Sequence, residues 1–143
     1  HSLPKLVVHG DYHPANVKFL HNEVSGIFDL DWATLQPRLL DVADGIIFFA
    51  GERASDLDSG DIFSLTQTWT PSPARAAVFM QGYLAEETLD PREEKLLPIF
   101  IRTRWLHCRV NGRIKVVPER RIDYFVTDLL PPLRALDALN TMY

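Results

Sequence analysis

The sequence predicts an α+β fold, mainly helical, with a small β-hairpin near its amino end. Three observations lead there. Short apolar runs bounded by turn-forming residues are confined to about the first thirty positions. From Asp41 onward the chain repeats helix-start signals, at Asp41, Ser72-Pro73 and Asp90-Pro91. A length of 143 residues with 46% hydrophobic composition suits one compact domain, so 1–143 is read as a single unit.

Lys5 to Val8 is apolar enough for a buried strand and ends at His9-Gly10-Asp11, where glycine permits a sharp turn. Pro14 keeps His13 out of helical geometry, so residues 9–16 are expected as a loop. Val17 to Leu20 and Val24 to Leu30 read as strands joined through His21-Asn22-Glu23 into a hairpin. That hairpin should bring Asp29 close to the loop at Asp11–Asn16. Asp41 is expected as the N-cap of a helix through Ile46, Ile47 and Phe49 that stops at Gly51. A loop at 54–60 and a short helix near Ile62–Thr66 follow. Ser72 should cap a helix to about Glu87, and Asp90 a helix to about Val110. A last helix should start at Pro118, pass Leu129 and break at Pro131-Pro132.

Composition narrows the function classes. A net charge of −4 lacks the basic surplus of a nucleic-acid binder and is compatible with a cationic ligand. The single cysteine, Cys108, cannot form an internal disulfide. No apolar run approaches the ~18 residues of a membrane span, and no signal peptide is evident, so a cytoplasmic location is expected. The chain opens on His1 and runs almost at once into a strand, which reads as a piece of a longer protein.

The stretches HGDYHPANVKF and GIFDLDWA carry the chemistry. Asn16 stands five residues after Asp11, and Asp29 thirteen after Asn16. A loop and a neighbouring hairpin strand can present Asp, Asn and Asp to one point. Phosphoryl transfer needs such a set: a carboxylate to orient the attacking hydroxyl, and oxygen ligands for Mg²⁺. An alternating His9, Asp11, His13 set could instead ligate zinc, but Asn16 and Asp29 suit magnesium better.

His9-Gly10-Asp11 with Asn16 fits H-x-D-x-x-x-x-N, a variant of the protein-kinase catalytic loop. HGDYHPANV resembles the HGDLHPGN-type loop of aminoglycoside phosphotransferases, choline kinases and type II homoserine kinases. GIFDLDWA resembles their I-D-F/W segment, and PRLLDVA, residues 37–43, the PxxxDLA segment that follows. The match is strong over residues 5–45. Beyond it, only GYLAEETLDPREEKLLPIF is similar to the helical tail of homoserine-kinase-like members.

The resemblance implies the carboxy-terminal lobe of a protein-kinase-like fold, with the hairpin beside the catalytic loop. It implies transfer of the ATP γ-phosphate to a hydroxyl of a small amine-bearing substrate of the homoserine, choline or aminoglycoside kind. Asp11 is then the catalytic base, with Asn16 and Asp29 as magnesium ligands. His9 packs beneath the loop, and Asp41 braces the loop while capping its helix. His13 stands where protein kinases place a lysine near the transferred phosphate, so it is a candidate for phosphate or substrate contact. Asp31 is compatible with a second metal or with a substrate amine. No glycine-rich loop or V-A-I-K-like strand precedes Asp11 in this sequence. The amino-terminal nucleotide lobe is therefore an expected partner in cis, and a non-catalytic scaffold or binding module is the alternative.

The remaining features have plainer readings. Trp32, Trp69 and Trp105 fit core packing better than a cation–π pocket. His107 and Cys108 point in different directions on a helix and read as packing residues. Arg102, Arg104, Arg109, Arg113 and Lys115 read as a solvated face.

Overall fold

A computed structural model describes residues 3–53, 55–56, 58 and 60–137. Among them the chain is mainly helical with three two-stranded antiparallel ribbons, an α+β arrangement. The first strand, β1 (Lys5–Val8), pairs with β4 (Thr34–Pro37), Val8 opposite Thr34 and Lys5 opposite Pro37. Between them lies the expected hairpin of β2 (Val17–Leu20) and β3 (Glu23–Ile27). His21 and Asn22 both take positive φ, 50° and 67°, as a two-residue hairpin turn with the twist of its strands requires. Glu23 therefore belongs to the strand, not the connector.

The third strand ends at Ile27, earlier than expected, because Asp29 adopts left-handed geometry and Leu30–Trp32 forms a 3₁₀ turn. The β1–β4 pairing is a feature that sequence periodicity did not reveal. A further ribbon, β5 (Gly51–Arg53) with β6 (Trp69–Pro71), follows the first long helix.

That helix, α1 (Leu39–Phe49), is apolar nearly all round and lies at the centre of the packing. Leu39, Val42, Ala43, Ile46 and Ile47 are buried against Ala76 and Met80 of α2 (Pro73–Glu86) and against Leu97, Ile101 and Trp105 of α3 (Pro91–Gly112). Gly45 permits the close approach of α2: a Cβ there would lie 2.0 Å from the Phe79 ring. Trp69 stacks on Trp105 at 5.7 Å in this core, as expected, whereas Trp32 is exposed and does not pack in the core as expected of it.

The α3 start is as expected. Asp90 accepts from the amides of Arg92 and Glu93, and the Glu93 carboxylate returns to the Asp90 amide, a complete capping box. Glu93 is also buried and takes a two-pronged bond from Arg38 at 2.8 and 2.7 Å, which holds its carboxyl below the usual range. Ser72 stands at the α2 N-cap, although its side chain makes no capping bond.

The last expected helix is interrupted. A 3₁₀ turn at Pro118–Arg120 leads into α4 (Arg121–Val126), and α5 (Leu130–Ala135) begins after Asp128, which has φ 48°. Pro131 and Pro132 fall in the first turn of α5, where a missing N–H costs nothing, so they start a helix instead of breaking one.

Only part of the basic cluster is a solvated face: Arg113 and Lys115 are exposed as expected, whereas Arg104 and Arg109 are not. Arg104 and Arg109 are buried because α3 runs through the packing and not along its surface. Arg109 donates through Nη2 to the carbonyls of Tyr124, Phe125 and Thr127, satisfying the end of α4, and lies over the rings of Trp105 and Tyr124. Arg104 makes a forked pair with Asp44, both bonds 2.7 Å. Burial pushes the Asp44 carboxyl up to about 6, and the Arg104 fork pulls against it. Truncating Arg104 to Ala leaves a buried carboxylate without its cation. R104A should lose about 3–5 kcal/mol in urea denaturation, whereas the double variant D44L/R104M should recover much of that loss.

Candidate active site

The loop that follows β1 is fixed by backbone bonds to α1. Asp41 is the third residue of the helix, not its cap, and its carboxylate accepts from the amides of His9 at 2.6 Å and Gly10 at 2.9 Å. Gly10 needs its glycine: φ is 81°, and a Cβ would lie 2.4 Å from the Trp32 carbonyl oxygen. Asp44 lies one helical turn beyond Asp41, and a Tyr12 backbone bond adds to the stabilisation of its charged form. Its partner Arg104 also donates to the Gly10 carbonyl oxygen at 3.1 Å. Neither Asp44 nor Arg104 was among the expected site residues. The available signal was a charged residue inside the apolar run Val42–Ala50, which demands a buried partner.

His9 is buried beneath the loop with both ring nitrogens engaged. Nε2 lies 2.8 Å from the Phe28 carbonyl oxygen, and Nδ1 accepts from the Asp11 amide at 3.4 Å. These partners assign the Nε2–H tautomer and leave no lone pair for a metal. Among the described residues, no group of three or more His, Cys, Asp or Glu side chains is arranged to hold a metal ion. A zinc centre on His9, Asp11 and His13 is thereby disfavoured.

Asp11 is partly exposed on the loop. His13 Nε2 lies 3.4 Å from its carboxylate, while His13 Nδ1 accepts from the Ala15 amide. The His13 hydrogen bond, opposed by burial, holds the Asp11 carboxyl below its usual range. Asn16 is buried on a 3₁₀ turn, Pro14–Asn16. Its Nδ2 donates to the Asp11 carbonyl at 2.9 Å and reaches the Asp11 carboxylate at 3.5 Å. Its Oδ1 has no hydrogen-bond partner among the described residues.

Asp29 is brought in through the backbone. The Phe28 amide donates to the Asn16 carbonyl at 2.9 Å, and the Phe28 carbonyl meets His9. Asp29 itself is exposed and held in left-handed geometry, φ 57° and ψ 61°, a region that aspartate and asparagine enter more readily than most residues other than glycine. Asp31 is exposed in the adjacent turn, and no bond links it to the other site residues. The structure thus joins His9, Asp11, His13, Asn16 and Asp41 directly, Asp29 through its neighbour, and leaves Asp31 apart.

Aromatic rings flank the loop on its helical side. The Tyr12 ring lies 5.2 Å from Phe49, and the His13 ring 5.6 Å from Phe48. An open apolar groove of about 420 Å³, lined by Phe49, Ala74, Arg75, Val78 and Phe79, begins there. Phe48 and Phe49 were expected only as helix residues; their place beside the loop is a product of packing.

The Asp41 clamp has a measurable consequence. Asp41→Ala removes the acceptor for two amides, which should cost about 1–3 kcal/mol and speed hydrogen exchange at His9 and Gly10 selectively. Unchanged exchange at these amides would contradict the clamp.

Two comparisons relate the chain to known proteins. The family model described as the APH phosphotransferase enzyme family matches residues 1–94. A homoserine kinase of Rhodopseudomonas palustris is 30% identical over 133 residues, which cover 85% of this chain and 36% of that protein. The chain therefore spans little more than a third of the length of this relative. No solved structure matches. The chain belongs to the APH phosphotransferase enzyme family.

Proposed function

We propose that this chain is the carboxy-terminal, catalytic lobe of a small-molecule kinase that moves the γ-phosphate of ATP to an acceptor hydroxyl. The observation that carries the reading is the Asp11–Asn16 pair. One amide nitrogen fixes the loop to Asp11, and the amide oxygen and the Asp29 carboxylate have no hydrogen-bond partner among the described residues, which leaves both as available oxygen donors. Oxygen donors of this kind fit magnesium, which keeps most of its shell as water and phosphate oxygen and takes one or two protein ligands. When bound, magnesium would draw charge from the β- and γ-phosphate oxygens as the transfer proceeds.

The chain's own residues do the rest. Asp11, kept ionised by His13, orients the acceptor hydroxyl and accepts its proton. The acceptor oxygen forms the new bond to phosphorus while the bond to the β–γ bridging oxygen breaks, and ADP leaves. Asp41 and Arg104 hold the loop so that the base does not drift. His13 sets the charge of the base in this arrangement, and a phosphate or substrate contact from it or from Asp31 stays part of the proposal.

The reading includes a second lobe in cis. Leu6, Val7, Phe19, Leu20, Ile27, Phe28, Trp32 and Leu35 are half exposed or more, all within residues 6–35. An apolar surface of that extent is one that another body normally covers. The 36% coverage of the homoserine kinase fits an additional lobe. Among the described residues no helix is long and apolar enough to cross a membrane. The acceptor is proposed as a small hydroxylated amine of the homoserine type, after that relative.

The test is ATP consumption by the full-length parent protein with Mg²⁺ across a panel of hydroxylated amines. Asp11→Ala should lower kcat by roughly 10²–10⁴ with KM changed little. Asp29→Ala should abolish turnover at ordinary Mg²⁺. No turnover on any acceptor, together with no Mg²⁺–ATP binding by calorimetry, would leave a non-catalytic binding module.

Asp11 also predicts a pH profile. Its carboxyl is held down by His13, so the anion is the favoured form at neutral pH, and activity is lost only as pH falls through the lowered value. His13→Ala removes that hydrogen bond and should move the acid limb of kcat/KM to higher pH.

A further inference from the structure

Arg53 is a cation near the loop that no anion answers among the described residues. It ends β5, lies partly buried, and places its guanidinium 5.7 Å from the centre of the Phe48 ring. Phe48 neighbours His13, which in turn bonds Asp11. Arg104 is spent on Asp44 and the Gly10 carbonyl. Glu52, beside Arg53 in sequence, lies 3.9 Å from Arg75 instead. Among the described residues Arg53 has neither a carboxylate nor a carbonyl within bonding distance. Burial lowers its pKa, as expected for a guanidinium drawn out of water without an anion.

We propose that Arg53 is a specificity residue that receives a carboxylate of the acceptor, so that the substrate is a small hydroxy acid or hydroxy amino acid and not a plain amino alcohol. A guanidinium has the planar fork for a carboxylate, and stacking on Phe48 holds that fork in place before the ligand arrives. The inference rests on the kinase reading for its orientation. In that reading phosphates meet Asn16 and Asp29 beside the hairpin, whereas Arg53 lies over Phe48 of α1, the ring that neighbours His13. A nucleotide phosphate is the other anion that Arg53 could meet, and the two sources separate by which KM responds.

The experiment compares L-homoserine with aminopropanol, the same skeleton without the carboxylate, in the full-length protein. Arg53→Met keeps the apolar stem against Phe48, and Arg53→Lys restores charge without the fork. The expected result is a tenfold to hundredfold rise in KM for homoserine in the Met variant, partly recovered in the Lys variant. The KM for ATP, the KM for aminopropanol and the melting temperature should not move. A rise in the ATP KM alone, equal losses on both acceptors, or a wild-type preference for aminopropanol would each overturn the carboxylate role while leaving the kinase reading intact. If no acceptor turns over, calorimetry decides. Homoserine binding that Arg53→Met abolishes supports the site without the reaction, and no homoserine binding to the wild type removes both.

Discussion

The organisation of this protein depends on two carboxylates one turn apart on a buried helix. Asp41 holds the amides of His9 and Gly10, and Asp44 holds Arg104, which reaches back to the Gly10 carbonyl. Neither interaction is cheap, because α1 lies in the apolar core where an unpaired charge would be strongly destabilising. Satisfying those charges requires the loop and α3 to sit in one arrangement. The helix is thus a packing element and a template for the loop together.

The same logic explains the division of labour in the loop. His9 turns inward, with both nitrogens committed to backbone groups, and so serves as a post beneath the loop. His13 turns outward and meets Asp11 from the side. Asn16 uses its nitrogen on Asp11 and keeps its oxygen free. The loop's polar atoms that have protein partners lie mostly toward α1 and β3.

Much of the local structure was legible in the sequence. The hairpin, the α2 and α3 starts and the loop at 9–16 are set by contacts between residues a few positions apart, and proline, glycine and Asp-Pro pairs report such contacts directly. The errors share a cause. Asp41 was read as a cap and proved to be the third residue of its helix, since β4 turns directly into α1 through Arg38. Arg104 and Arg109 were read as solvated because their partners lie elsewhere in the chain. Pro131 and Pro132 open a helix because Asp128 had already ended the one before.

The sequence by itself determined the identities and spacing of Asp11, Asn16 and Asp29, and the motifs that contain them carried the family, because each motif is a short contiguous stretch readable without the fold. Tertiary structure alone decided which charges are buried and what answers them. The Asp41–His9 contact spans 32 positions, Asp44–Arg104 spans 60, and Arg104–Gly10 spans 94. Such pairs leave no periodic trace in sequence, since each residue reads as an ordinary polar position until packing removes the water around it. Arg53 is the remaining case: its sequence neighbours say nothing of it, and only the fold sets it over the Phe48 ring near His13 with no anionic partner among the described residues.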